Sequence, residues 1–253
     1  MAQRVLVTAG ASGIGREIVR AFSANGASVF VCDIDQDALQ ELTGEIAGVK
    51  TGLCNVSKRK DIEQMMDVCV QALDGLDVLI NNAGIAGPTA PVEKMDPDEW
   101  EKVMAVDLTG TFNVTRMAIP HLKKSQAGVI VNMSSVAGRF GYANRSPYCT
   151  AKWGLIGFTK TLSIELGAYG IRANAILPGA VDGPRIQRVF EGRAKTSGKS
   201  LDEVKKEAMS IQSLQRMVDP KDIAALAVFL ASDAAKSISG QMLPIDNDMQ
   251  QAS

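Results

Sequence analysis

Tyr148 and Lys152 stand four positions apart, in a segment whose pattern predicts the start of a helix. Residues with this spacing share one helix face, so the phenol and the ammonium would lie side by side. A neighbouring ammonium stabilises the phenolate and lowers the pKa of a tyrosine from about 10 toward neutral pH. Such a tyrosine can exchange a proton with an alcohol or ketone oxygen during hydride transfer. The same spacing is also common on solvated helix faces, and these two residues alone leave that alternative open.

Ser135 is the residue that could hold the reacting oxygen. It follows the apolar, strand-like segment Val129–Met133. Ligands of open α/β sheets collect at the carboxyl ends of the strands. We therefore expect the Ser135 hydroxyl to lie close to Tyr148.

A glycine-rich turn lies near the beginning of the sequence, between a strand-like run and a predicted helix. Such a turn lets the backbone approach a pyrophosphate and directs N–H groups and the helix dipole toward it. A tight turn without a ligand would also explain the glycines. The residues predicted to bind a dinucleotide here are Gly10, Ser12, Gly13, Ile14 and Gly15.

Asp33 ends the next strand-like run, 20 residues beyond Gly13. A carboxylate at this distance accepts hydrogen bonds from the adenosine ribose hydroxyls and repels a 2′-phosphate. Neither Ser12 nor the following Ile34 offers a cation that would compensate for this repulsion. The sequence therefore favours NAD over NADP as the cofactor, unless Asp33 is only a turn residue at a strand end.

Short β-branched runs alternate with helix-length segments along the whole chain. The runs are continuously apolar, as in parallel strands that are buried on both faces. This alternation predicts an α/β fold: a Rossmann-type, doubly wound parallel sheet with helices on both faces. We expect a single domain over residues 1–253, with a charged, strandless insertion at about 183–217. The predicted strands are 5–8, 29–32, 78–80, 129–131 and 171–177, and the predicted helices are 13–24, 35–46, 57–73, 98–124 and 147–166.

Composition excludes several other classes of protein. The single histidine, His121, cannot supply a multi-histidine zinc site, and no metal site is predicted. The formal net charge of −1 gives no reason to bind nucleic acid. No segment reads as a secretory signal, and the longest apolar run, Ile223–Ala231, is too short to cross a membrane. We therefore expect a protein that does not bind membranes. Four cysteines without close pairing suit a reducing compartment, so we also expect it to be cytoplasmic.

Taken together, these segments resemble the short-chain dehydrogenase/reductase family over about residues 4–246. The matching landmarks, in order, are the glycine-rich turn, Asp33, 81–84 (Asn-Asn-Ala-Gly), Ser135, 148–152 (Tyr-Cys-Thr-Ala-Lys) and 178–179 (Pro-Gly). The resemblance implies NAD(P)-dependent oxidation of alcohols or reduction of carbonyls. It implies Tyr148 as general acid/base, Ser135 as partner of the substrate oxygen, and Lys152 as the residue that tunes Tyr148 and binds the nicotinamide ribose.

The resemblance also implies further cofactor contacts and an assembly. Four chains would form a homotetramer through segments 98–124 and 147–166. The additional cofactor-binding residues would be Asn55 and Val56 beside the adenine, Asn82, Ala83 and Gly84 along the ribose region, and Pro178, Gly179 and Val181 over the nicotinamide.

Four positions depart from the family pattern. Asn55 replaces the acid that normally borders adenine, although an amide can still make a hydrogen bond there. Ala9 replaces the first glycine of the turn, and Gly183 replaces a threonine that would contact the nicotinamide amide. Asp107 stands where the family has a catalytic asparagine. We expect Asp107 to keep the structural role of that residue through its backbone. We also hypothesise that its carboxylate pairs with Lys152 and weakens the effect of the lysine on the tyrosine pKa.

Arginines near the predicted active site indicate an anionic substrate. Residues 185–216 contain eight basic and four acidic residues, and in the family this stretch covers the substrate. A guanidinium suits a carboxylate, sulfonate or phosphate. A solvated helix face would explain the same charges, and Tyr142 could belong to an apolar pocket wall. The candidate substrate residues are Arg139, Tyr142, Arg145, Arg185 and Arg188, with Arg193 as a further lid cation.

We thus expect an NAD-dependent oxidoreductase that transfers a hydride between NAD(H) and a small secondary alcohol, ketone or hydroxy compound, an anionic one if the arginines bind it. The alternative is an NAD-binding sensor or scaffold with little turnover.

Overall fold

A computed structural model describes residues 2–125 and 127–251 of the chain. The predicted domain spans 1–253, and its residues Met1, Gln126, Ala252 and Ser253 lie outside the described part. Seven strands form one sheet: β1 (Arg4–Thr8), β2 (Ser28–Asp33), β3 (Lys50–Leu53), β4 (Val78–Asn81), β5 (Val129–Met133), β6 (Arg172–Pro178) and β7 (Met242–Ile245).

All neighbouring strands in this sheet are parallel, in the order β3-β2-β1-β4-β5-β6-β7. The predicted Rossmann-type sheet is therefore confirmed. The strand order reverses between β1 and β4, and in such sheets the crevice at this point is where ligands bind.

Helices cover both faces of the sheet. Alternate residues of β1 point to opposite faces, so Val5 and Val7 pack in one core and Leu6 in the other. The first core includes residues of α1 (Gly13–Ala24), α2 (Gln36–Glu45) and α9 (Pro220–Ala231). The second includes residues of α3 (Arg59–Leu73), α5 (Thr111–Leu122) and α6 (Ser146–Leu166). The remaining helices are α4 (Pro97–Met104), α7 (Pro184–Ser197) and α8 (Leu201–Ser210). No helix in the described ranges is long and apolar enough to cross a membrane.

The structure corrects two local predictions. The sequence does not predict β3, because this edge strand has largely exposed or half-exposed positions rather than an apolar run. The predicted helix 98–124 is interrupted by a π-helical turn over Ala105–Gly110. Asp107, within this turn, is fully buried, and its carboxylate accepts a hydrogen bond from the Ile85 N–H at 2.7 Å.

A ladder of buried polar side chains joins the centre of the sheet to two helices. The Asn81 amide donates to the Asn132 side-chain oxygen at 2.8 Å and to the Thr115 hydroxyl at 2.9 Å. The Asn132 amide donates to the Thr159 hydroxyl at 2.9 Å, which donates to the Leu155 carbonyl at 2.7 Å. Such a chain fixes β4 and β5 against α5 and α6, since each buried polar group depends on the next.

Replacing Thr159 with valine removes the oxygen that receives the Asn132 amide. We expect Thr159→Val to lower the free energy of unfolding by about 1–3 kcal/mol, the cost of an unsatisfied buried donor. Thr161→Val is the matched control, because Thr161 makes the same bond to a preceding carbonyl, that of Gly157, but is exposed. Urea unfolding of both variants measures the difference, and equal stabilities would contradict the role of the ladder.

Candidate active site

A cleft of about 460 Å³ opens at the carboxyl ends of the strands, beside the point where the strand order reverses. Its walls include residues that directly follow β1, β4, β5 and β6. The predicted site residues that line it are Ser12, Gly13, Ile14, Asn82, Gly84, Ser135, Tyr142, Arg145, Tyr148, Lys152, Pro178, Gly179, Val181, Arg185 and Arg188.

Ser135 and Tyr148 meet in this cleft as predicted from their positions. Ser135 leaves β5 in an extended conformation, and its hydroxyl accepts a hydrogen bond from the Ala137 N–H at 3.1 Å. Tyr148 lies in the first turn of α6, where Pro147 fits because a helix start needs no N–H at that place. Ser135 also acts on Tyr148, because its hydroxyl favours the phenolate and lowers the pKa of Tyr148.

The charges around Tyr148 hold its pKa below the usual value. Burial alone would raise this pKa, since it disfavours the phenolate. The cationic groups of Arg185 and Lys152 outweigh burial, together with the hydrogen bond from Ser135. Asp107 acts in the opposite direction and raises the pKa of Tyr148. The phenol is therefore prepared to give up and take back a proton nearer neutral pH than a free tyrosine.

The ammonium of Lys152 is almost completely buried, with 3% of the residue exposed. It donates to the Met133 carbonyl at 3.1 Å, and its nitrogen lies 5.5 Å from the centre of the Tyr148 ring. Its third neighbour is the Asp107 carboxylate, at 3.3 Å from Oδ2. The ion pair that the sequence suggested between Asp107 and Lys152 is therefore present.

Asp107 does not line the cleft, but its carboxylate pairs with Lys152 and raises the pKa of Tyr148. One carboxylate oxygen is bonded to Ile85, and the other is within ion-pair distance of Lys152 but makes no hydrogen bond among the described residues. Gly84 lies directly beside this ion pair, and a side chain there would crowd it. A Cβ atom at Gly84 would lie 3.1 Å from both Asp107 Oδ2 and Lys152 Nζ. The backbone carbonyl of Asp107 accepts from the Thr111 hydroxyl at 3.0 Å.

The glycine-rich turn forms a cradle that suits a pyrophosphate. The Ser12 side chain makes no capping hydrogen bond at the start of α1. It therefore leaves the first N–H groups of the helix for another acceptor. Gly15 packs against the turn itself, because a Cβ atom would lie 2.2 Å from the Ala9 carbonyl. Ala9 has a φ of +49°, a left-handed conformation that a glycine would adopt without strain. An anion at this helix start would meet N–H donors and the positive end of the helix dipole.

Asp33 lies at the end of β2, beside the glycine-rich turn. One oxygen of its carboxylate accepts from the Ala11 N–H at 3.1 Å, and the other from the Ile34 N–H at 2.7 Å. These bonds keep the carboxylate at the end of β2, beside the turn. The Ile34 side chain next to it is exposed.

Only some of the other predicted cofactor residues line the cleft. Asn82 donates to the carbonyls of Thr8 and Ala9, at 3.2 and 2.9 Å, and so joins the ends of β1 and β4. The Asn55 side chain accepts bonds from Ser57. The predicted residues that the structure leaves outside the cleft lining are Gly10, Gly15, Asp33, Ile34, Asn55, Val56, Ala83, Asp107 and Arg139.

Arginines gather at the Tyr148 end of the cleft. The guanidinium carbons of Arg145 and Arg185 lie 5.2 and 5.7 Å from the centre of the Tyr148 ring, and that of Arg193 lies 5.3 Å from the Tyr142 ring. Arg139 is not part of this group, since it is exposed and stacks on Phe140 at 4.7 Å.

Sequence reasoning missed Met249, which lines the cleft and receives the Tyr142 hydroxyl on its sulfur at 3.0 Å. No motif marks a methionine near the end of the chain.

Comparisons with known proteins agree with this site. A family model described as enoyl-(acyl carrier protein) reductase matches residues 8–249. The chain is 37% identical over 246 residues to D-beta-hydroxybutyrate dehydrogenase of Cupriavidus necator, and 95% of each protein is covered. NAD+-bound xylitol dehydrogenase aligns with a TM-score of 0.93 at 27% identity, covering 96% of this chain and 97% of the other. An actinorhodin polyketide ketoreductase with NADPH aligns with a TM-score of 0.94 at 30% identity, covering 98% and 97%.

The family model and these relatives cover nearly the whole chain. Within it, the parallel sheet brings Ser135, Tyr148 and Lys152 into one cleft. The chain belongs to the short-chain dehydrogenase/reductase family of NAD(P)-dependent oxidoreductases.

Proposed function

We propose that this protein is an NAD-dependent dehydrogenase of a small secondary alcohol or hydroxy compound, with Ser135, Tyr148 and Lys152 as its catalytic residues. The observation that carries the proposal is the convergence of these three side chains in the cleft, with the pKa of Tyr148 held below its usual value. A nicotinamide dinucleotide held at the start of α1 by Ser12, Gly13 and Ile14 would supply the hydride acceptor for oxidation and the hydride donor for reduction. No observation favours the alternative of a sensor with little turnover.

The residues of the chain handle the proton and the oxygen. Ser135 positions the substrate oxygen by a hydrogen bond, and the Tyr148 phenolate takes the hydroxyl proton as the alcohol is oxidised. The Lys152 ammonium stabilises that phenolate across 5.5 Å to the ring centre. In the opposite direction, the neutral phenol gives the proton back to a ketone oxygen.

The preference for NAD rests on the carboxylate of Asp33. Three backbone N–H groups, those of Ala11, Ile34 and Asp35, fix it beside the glycine-rich turn, where a 2′-phosphate would meet its negative charge. The residues expected to hold the pyrophosphate are Ser12, Gly13 and Ile14, at the start of α1.

We also infer a homotetramer in the cytoplasm. Phe112 on α5 and Trp153 on α6 are about half exposed, and they lie in the two segments expected to meet another subunit. Light scattering of the purified chain measures the assembly. All four cysteines are free and buried, as suits a reducing compartment.

Removing the Tyr148 hydroxyl tests the catalytic assignment. We expect Tyr148→Phe to reduce NADH formation by about 10²–10⁴-fold, the usual contribution of a general acid/base, and to leave the Kd for NAD nearly unchanged. The readout is NADH absorbance on a panel of secondary alcohols and hydroxy acids, with Tyr169→Phe as the control because Tyr169 is exposed away from the cleft. Tight NAD binding by the wild type without turnover on any substrate would instead favour the sensor.

The charge of Asp107 is expected to shift the pH profile. Because Asp107 raises the pKa of Tyr148, Asp107→Asn lowers that pKa, and the phenolate needed for oxidation then forms at lower pH. The acidic limb of the kcat/KM profile should move to lower pH. Asp98→Asn, on the exposed start of α4, is the control. An unmoved limb in Asp107→Asn would show that the ion pair does not influence the proton step.

Neutralising Asp33 should weaken the preference for NAD. Asn in its place keeps an oxygen for the Ala11 N–H but removes the charge that repels a 2′-phosphate. We expect the ratio of kcat/KM with NAD to kcat/KM with NADP to fall at least about tenfold, which is about 1.4 kcal/mol. Asp35→Asn, at the cap of α2, serves as the control. If the ratio does not change, Asp33 does not select the cofactor.

A further inference from the structure

Arg145 carries a buried positive charge without a carboxylate partner. Only 6% of the residue is exposed. Its guanidinium donates to the Ala86 carbonyl at 2.7 Å and to the Thr89 hydroxyl at 3.5 Å, and both acceptors are neutral. Among residues 2–125 and 127–251, no carboxylate oxygen lies within 4.0 Å of it. A buried charge of this kind costs free energy unless a partner of opposite charge binds to it.

The surroundings of Arg145 add to this cost. Burial lowers its pKa, the neighbouring Tyr148 raises it, and the nearby cations Arg193 and Arg185 lower it, although an arginine stays charged at any physiological pH. In the described part of the chain, the cleft is lined by five cationic residues and one acid, Asp182, which is exposed. The five cationic residues are Arg145, Lys152, Arg185, Arg188 and Arg193.

Two other carboxylates lie near the cleft, and neither is within ion-pair distance of Arg145 in the described part of the chain. Asp107 is paired with Lys152 behind the wall. Asp246 packs against Gly179 and accepts the Asp248 N–H at 3.1 Å. The pyrophosphate cradle lies at the start of α1, whereas Arg145 lies at the Tyr148 end of the cleft, so the cofactor phosphates would not neutralise it.

We propose that the substrate is a short hydroxy acid, or the matching keto acid, whose carboxylate binds Arg145 while its hydroxyl or carbonyl oxygen reaches Ser135 and Tyr148. This inference rests on the proposed dehydrogenase function. Arg145 and Tyr148 stand three residues apart, and the guanidinium carbon lies 5.2 Å from the ring centre. The carboxylate and the reacting oxygen of the substrate must therefore be separated by few bonds. A guanidinium binds a carboxylate through two parallel hydrogen bonds, which also orients the chain between them.

The reaction leaves the carboxylate unchanged. In oxidation, the C–H bond of the carbinol carbon breaks and its hydride passes to the nicotinamide of NAD+. The O–H bond breaks and its proton passes to the Tyr148 phenolate, so that a C=O bond forms. Keto acid, NADH and one proton result.

The competing explanation is that Arg145 only ties the segment around Ala86 and Thr89 to the start of α6. Its loss would then damage the site for every substrate alike. A carboxylate-binding role instead changes the selectivity between an acid and its uncharged ester, and that ratio is the decisive measurement.

The test uses the full-length purified chain with NAD and both enantiomers of 2-, 3- and 4-hydroxy acids of three to six carbons, each with its methyl ester. We expect the wild type to have a kcat/KM at least about tenfold higher for one of the acids than for its ester. Arg145→Met should reduce this acid-to-ester ratio by on the order of 10- to 100-fold, as expected for a hydrogen bond between charged groups, without weakening NAD binding. Arg145→Lys should recover part of the ratio. Arg59→Met, which removes an exposed guanidinium at the start of α3, outside the cleft lining, should keep it.

Equal kcat/KM values for acids and esters, or an unchanged ratio in Arg145→Met, would overturn the inference and leave the proposed function intact. If no substrate is turned over, the proposed function fails, and titration calorimetry of the NADH complex with 3-oxobutanoate and its methyl ester still decides on anion binding. Tighter binding of the acid that is lost in Arg145→Met supports the anion site, and equal binding overturns it.

Discussion

The buried ammonium of Lys152 is the interaction on which the rest of the site depends. Removing a charge from water costs several kcal/mol unless other groups replace the lost hydration. Here those groups come from three separate parts of the fold: the Met133 carbonyl at the end of β5, Asp107 in a π-helical turn, and Tyr148 one turn earlier on α6. The ammonium therefore requires that all three parts be in place, and in return it sets the charge environment of the phenol.

The sheet supplies the rigid frame that this arrangement needs. The ladder from Asn81 through Asn132 to Thr159 fixes the central strands against the helices directly beneath the cleft. On the other side of the strand-order reversal, the glycine-rich turn offers backbone N–H groups rather than side chains. The cleft thus has two chemically different ends, a turn lined by backbone groups and a cluster of side-chain cations beside Tyr148.

Much of this could be predicted from the sequence, because the strongest signals are local. The bounds of α1 and the pairing of Tyr148 with Lys152 follow from short-range spacing, and the structure agrees with both. The edge strand β3 and the π-helical turn could not be predicted, since neither depends on an apolar repeat. The positions of the arginine side chains could not be predicted either. Their number is visible in the sequence, but tertiary packing decides that Arg145 faces Tyr148 while Arg139 stacks outside on Phe140.

Ala9 and Met249 line the same cleft although they come from nearly opposite ends of the chain. The cleft is therefore complete only when the segment around Met249 has packed against Tyr142 and Gln212. Ligands that span the cleft bind the completed fold and not its precursors, so they stabilise the finished molecule selectively by mass action.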